Sequence, residues 1–344
     1  MTPEFEQALI ASGARLYEGG ILDFGDPAAE LRAAESQAIV VPLTMFSMLE
    51  FSGEDAEPFL HGQLSCEVKG VTPGGATYGA YCSPQGRMLA SLILLRLESS
   101  FLMLLPASIA EVIRKRIGMF VLRSKVKIVR AEQVLLGLSG GDVQPDPAGT
   151  NAASSDAMRW SCKPGGDIRV QLSVGSAGRV LLAVPQGMAA ARWQALAQRF
   201  RPAGTSCWEW LDIRAGIPWI GAETREEFIP QMANVDLIGG VSFSKGCYPG
   251  QEVVARTQFR GQVKRRMFLA HVDAASAPHA GDALFSDDLG DRGSGKVVSA
   301  NAAPSGGYDL LAVVSVASKD ASTVRLGSNA GPALQFRNLP YPVP

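Results

Sequence analysis

The chain has no Cys-x-x-Cys pair, and its five cysteines (66, 82, 162, 207 and 247) are widely spaced. With three histidines only, at 61, 271 and 279, no zinc or iron–sulfur ligand set stands at a recognised spacing, so no metal site is expected. A Walker sequence is missing, and no Gly-x-Gly-x-x-Gly follows a strand, which argues against a nucleotide-driven enzyme. Nothing in the sequence supports a Ser/His/Asp hydrolase. Long apolar runs are missing too. The most apolar stretch, Met88 to Leu97, carries Arg96 and is too short to span a bilayer, so no membrane partner is expected. Residues 1–10 hold two glutamates and no apolar core, unlike a secretory signal, and a cytoplasmic location is the expectation. Net charge is −1, so no global field draws the chain to nucleic acid or anionic lipid.

What is present is a soluble, globular composition, 47% hydrophobic and 19% charged, in 344 residues. That length suits roughly two or three domains. Residues 1–38 read as helical, with a turn at Gly25-Asp26-Pro27. Short apolar runs at 40–41, 48–51 and 89–97 read as strands, and 53–64 and 108–121 as helices. A strand is expected at 125–129. Residues 139–167 are rich in Gly, Ser, Asp, Asn and Pro and read as a loop. Strands at 168–174 and 179–184 and a helix at 188–200 suggest a second α+β unit. A further helix over 208–215 ends at Gly216 with Pro218 beyond. From Met267 only short alternating runs remain, which predicts a small barrel of five or six strands.

Three features carry candidate chemistry. In Lys245-Gly-Cys-Tyr-Pro-Gly-Gln-Glu252, Cys247 precedes a helix-like run, and Lys245 lies two residues from it. In an extended segment those two side chains share a face, and a nearby ammonium favours the reactive thiolate. On spacing alone, an inert buried cysteine in a glycine-rich turn is the commoner outcome. The second feature is the cluster Trp208, Trp210 and Trp219, three of the five tryptophans, able to line the core or to stack on a heterocycle. The third is a pair of basic clusters: seven cations over 114–130, and Arg256, Arg260, Lys264, Arg265 and Arg266. Each is either a solvated face or a site for a polyanion such as RNA phosphate or a polyglutamate chain.

With these residues in hand, the chain closely resembles the YgfZ family of folate-binding proteins, relatives of the glycine-cleavage aminomethyltransferase (T-protein). The resemblance rests on Ile213-Arg-Ala-Gly-Ile-Pro218, Ile229-Pro-Gln231, Asn234, Gly239-Gly240, and Phe243 running into the 245–252 motif. It continues through Val254-Ala-Arg256 and Phe259-Arg-Gly261 to Lys264-Arg265, with weaker similarity over 40–135 that includes the Ser83-Pro-Gln-Gly86 turn.

The resemblance implies an α+β, three-lobed aminomethyltransferase-like fold: two α+β lobes around a central opening and a C-terminal β-barrel. Boundaries follow at 1–262 for the folate-binding region, with its second lobe at about 136–205, and 263–344 for the barrel. It further implies a tetrahydrofolate cofactor in the opening beside Phe46 and Trp208, with Cys247 and Lys245 as the working pair. The implied role is support of iron–sulfur cluster assembly or repair. Iron–sulfur enzymes or assembly factors are then the partners, and tRNA is affected only indirectly, through iron–sulfur tRNA-modifying enzymes. A folate-dependent aminomethyl transferase and an RNA-binding module are the alternatives. The chain departs from the transferases in one place: Leu105-Pro-Ala-Ser108 stands where they carry Asn-Ala and a catalytic Asp, and no Asp lies between 101 and 125. At Arg214 relatives often have Glu, a replacement of acid by cation.

Overall fold

Alternation along buried strands builds this molecule, because successive side chains point to opposite faces of a sheet. A computed structural model describes residues 1–17, 22–141, 159–162, 166–172 and 178–344. The first lobe is an antiparallel sheet in the order Ala76–Cys82, Met88–Arg96, Ser100–Pro106, Phe46–Ser52 and Lys127–Arg130. Leu92, Leu94, Met103 and Leu105 point to one face, where the helices Ala56–Gln63 and Ala107–Gly118 cover them with Phe59, Leu60, Ile109, Ile113 and Ile117. Ile93, Leu95, Leu102 and Leu104 point to the other face, into a core shared with the second lobe.

That second lobe has a sheet in the order Arg159–Cys162, Ile168–Leu172, Arg179–Pro185, Gln133–Ser139, Ile39–Pro42 and Arg201–Pro202. Only its last pair is parallel. Val180, Leu182 and Val184 face the helices Pro3–Ala11 and Ala189–Ala197, where Phe5, Leu9 and Trp193 meet them. Leu181 and Ala183 face inward, toward the first lobe. The helix Thr205–Ala215 contributes Trp208, Trp210 and Leu211 to this inter-lobe core and has eight of its residues buried. Gly216 ends it at φ 70°, a left-handed cap that glycine adopts without steric cost.

The C-terminal lobe is a six-stranded antiparallel sheet: Val324–Leu326, Ala283–Ser286, Gly290–Ala302, Tyr308–Ser315, Arg265–Val272 and Gln335–Arg337. It curls into a half-barrel, with register shifts in its second and third strands and a bridge from Arg325 to Ala333 beside its outer strands. Asp309 ties it to the tryptophan-bearing helix. That carboxylate accepts Trp210 Nε1 at 2.9 Å and meets His271 Nδ1 at 2.8 Å and Arg337 Nη1 at 3.2 Å.

Most expected elements stand where the sequence places them. The N-terminal 38 residues do not form continuous helix. A two-stranded hairpin, Arg15–Leu16 with Leu22–Asp23, separates Pro3–Ala11 from Pro27–Ser36, and Asp26 caps the second helix through Ala29 N–H. Much of the loop expected over 139–167 lies outside the described residues, and the described part contains the strand Arg159–Cys162. Among the described residues no helix is long and apolar enough to cross a membrane.

Candidate functional site

Two regions concentrate the expected site residues: the motif around Cys247, and the inter-lobe core around Phe46.

The motif is fixed by close backbone approach. Gly250, at φ 82°, caps the helix Gln251–Arg260, and a Cβ there would come within 2.4 Å of Ser83 O and 2.5 Å of Gly86 Cα. Gly86 is equally confined, since its Cβ would meet Val253 at 2.9 Å. The Ser83–Gly86 turn and the 245–252 motif, two segments that the family resemblance includes, are therefore one packed unit. Gln231 Nε2 donates to Val254 O at 2.7 Å, and Asn234, at φ 57°, donates through Nδ2 to Met267 O at 2.7 Å. Arg266 is buried, donating to Gln231 O and to Asp236, so it belongs to the scaffold rather than to an exposed basic face. In the other basic cluster, Arg114 and Lys115 pair with Glu111, and Lys125 pairs with Glu54.

Within this unit Lys245 and Cys247 point to different environments. Lys245 is 8% exposed, and its Nζ donates to the carbonyl oxygens of His61, Leu64 and Cys66. An ammonium has three N–H donors, so all of them are used. Those carbonyls lie at and just beyond the C-terminal end of the helix Ala56–Gln63, where backbone acceptors lack intrahelical partners and the dipole favours a cation. Burial holds the Lys245 pKa below its ordinary value, against the opposing pull of Cys66 and Glu67. Tyr248 covers the ammonium, with its ring centroid 5.1 Å from Nζ. Cys247 itself is exposed. Burial pushes the thiols of Cys66, Cys82 and Cys207 up to about 12, which makes them inert. His61 stands close by, its Nε2 4.0 Å from where a Cβ on Gly246 would lie. Burial and the charge of Lys245 lower the His61 pKa, outweighing Glu67.

The two expected cofactor residues, Phe46 and Trp208, belong to the inter-lobe core. Phe46 begins its strand opposite Pro106, so it neighbours the 105–108 segment, which holds no carboxylate. It also lines a cleft of about 240 Å³ with Arg130, Gln133 and Gln186. Trp208 is 1% exposed. Its ring lies so close to Gly137 that a Cβ there would be 2.4 Å from it, and the Arg179 guanidinium lies 5.3 Å from its centroid. Arg179 in turn pairs with Asp212 at 2.6 Å, and both are buried. Burial raises the Asp212 pKa, opposed by Arg179 and the Trp219 indole. Arg214 faces solvent.

Trp219, the third member of the tryptophan cluster, has its ring centroid 4.5 Å from that of Phe46. Its Nε1 donates to Asp212 Oδ2 at 2.8 Å. In the sequence Trp219 stands out only as one member of a cluster, because its pairing with Phe46 joins segments far apart in the chain. Among the described residues no group of three or more His, Cys, Asp or Glu could hold a metal ion.

The fold is one shared with an aminomethyltransferase. The structure superposes on the glycine cleavage system aminomethyltransferase T of Bartonella henselae with a TM-score of 0.79, covering 99% of this chain and 97% of that one at 19% identity. No family model matches the chain. Curated relatives do: the tRNA-modifying protein YgfZ of Edwardsiella ictaluri is 32% identical over 309 residues, 88% of this chain and 93% of the relative. The protein of the same name from Klebsiella pneumoniae is 30% identical over 326 residues, 89% of this chain and 95% of the relative. The chain belongs to the YgfZ family.

Proposed function

We propose that this protein binds tetrahydrofolate and supports iron–sulfur cluster assembly or repair, and through it the iron–sulfur enzymes that modify tRNA. The observation that carries this reading is the match along nearly the whole chain to relatives named tRNA-modifying proteins, on a fold shared with an aminomethyltransferase. The inter-lobe core suits a flat, hydrogen-bonding ligand. Phe46 offers an apolar ring, and the Tyr78 hydroxyl, in a residue 6% exposed, has no hydrogen-bond partner among the described residues. An unmet buried hydroxyl is costly unless something supplies its partner. When bound, tetrahydrofolate would supply a carrier for one-carbon groups. Aminomethyl transfer is disfavoured, because 105–108 offers no carboxylate next to Phe46.

In this reading Cys247 is the thiol that meets the partner, since it is exposed while Cys66, Cys82 and Cys207 are buried. Lys245 sets its position, by holding the motif on the end of the helix Ala56–Gln63. The test is Cys247→Ala in cells lacking the protein. It should fail to restore iron–sulfur-dependent tRNA modification, while the purified variant keeps its melting temperature and its heat of tetrahydrofolate binding. Full restoration would overturn the role of the thiol. The wild-type protein giving no heat with tetrahydrofolate would overturn the cofactor.

A further inference from the structure

The two tryptophans of the inter-lobe core are differently available to a ligand. Trp208 is 1% exposed, against Gly137 and Arg179. A heterocycle reaching its ring must displace a backbone segment or break the contact with a buried guanidinium. Trp219 is half-buried, and its environment holds it in place. The Ser91 hydroxyl donates to Pro218 O at 2.9 Å and accepts Ile220 N–H at 2.8 Å, so one buried side chain grips the backbone on both sides of Trp219. Asp212 fixes the indole through Nε1, and Arg179 fixes Asp212. Phe46 lies tilted at 56° to the indole. The next residues lead to the vacant acid position: a Cβ on Gly221 would lie 3.7 Å from Ser108 Oγ. In the same core, the Tyr78 hydroxyl, without a partner among the described residues, is within electrostatic reach of Arg179 and Asp212.

We infer that Trp219, paired with Phe46, forms the aromatic wall on which the ligand's flat heterocycle stacks, and that Trp208 only supports that wall from within the core. The inference rests on the folate reading and names the side of Phe46 that the pterin takes: the Trp219 side, where hydrogen-bonding groups converge, and not the cleft lined by Arg130. A rigid aromatic held by hydrogen bonds is a low-entropy stacking surface. Asp212 and Ser91 are positioning residues, and Trp219 touches the ligand.

The experiment is a tetrahydrofolate titration followed by calorimetry and by tryptophan emission, on wild type, Trp219→Phe, Trp219→Ala, Trp208→Phe and Arg130→Ala. Circular dichroism confirms the fold of each. Trp219→Ala should weaken binding about tenfold, the scale of one aromatic stack. Trp219→Phe should keep most of the affinity but lose the emission quench, and Trp208→Phe should keep both. Heat with wild type and equal affinity in Trp219→Ala would overturn the assignment alone. So would a quench that survives in Trp219→Phe and vanishes in Trp208→Phe, or a loss confined to Arg130→Ala. No heat with wild type removes the folate reading and this assignment with it.

Discussion

Lys245 and Leu64, 181 residues apart, are joined by a hydrogen bond from the ammonium to the backbone carbonyl. The bond makes a residue of the motif the C-terminal cap of a helix in the first lobe. Replacing Lys245 with Met should therefore act first on stability. Removing a charged donor from three carbonyls should cost about 3 kcal/mol, read from urea unfolding. Unchanged stability in that variant would overturn the capping role.

Thiol accessibility offers a second check. In a Cys162→Ser background, dithiobis(nitrobenzoate) should modify one thiol rapidly in the native protein, and Cys247→Ala should remove that phase. Burial pushes Cys66, Cys82 and Cys207 up to about 12, so raising the pH to about 9.5 should not expose a second fast thiol. Two fast equivalents would contradict the packing around the motif.

His61 makes stability depend on pH. Its folded pKa lies below the ordinary value of about 6.5, so the unfolded chain binds more protons in the window just beneath it. Stability should be complete above about pH 6.5 and should fall as pH drops toward the folded pKa. His61→Gln, which cannot be protonated, should flatten that slope in urea titrations between about pH 5 and 7. An unaltered slope would assign the dependence to other groups.

Leu122 bears a local conformational cost. It is 87% exposed at φ 45°, a left-handed conformation that costs a leucine about 1 kcal/mol. Asn tolerates that region, and Leu122→Asn should stabilise the protein by up to about 1 kcal/mol. A loss of stability instead would mean that the leucine packs in solution.

The sequence made local features legible and left their meetings obscure. The helix Thr205–Ala215 and its Gly216 stop were readable because both signals lie within twelve residues. The strands Ala76–Cys82 and Ser100–Pro106 were not. Buried on both faces, they lack the polar alternation that marks a half-exposed strand. The pairing of Ile39–Pro42 with Gln133–Ser139 joins segments some ninety residues apart, and no local pattern encodes it. Around the motif, the closeness that requires glycine at 250 is visible only beside Ser83 and Gly86. The acceptors of Lys245 are main-chain carbonyls, which carry no residue signature. An extended segment put Lys245 and Cys247 on one face, whereas the folded loop buries the first and exposes the second.

Asp309 has a consequence for how such a chain can change over generations. Its carboxylate is the acceptor for an indole that belongs to another lobe, and Asn234 finds its partner on the strand Arg265–Val272. A replacement of the C-terminal sheet that lost this carboxylate would leave Trp210 a buried donor without an acceptor, whereas Asn234, bonded to a main-chain carbonyl, needs only a strand in the same place. The half-barrel and the tryptophan helix are therefore matched at a single side chain, and an exchange of parts is tolerated only where the incoming sheet brings an acceptor to that position.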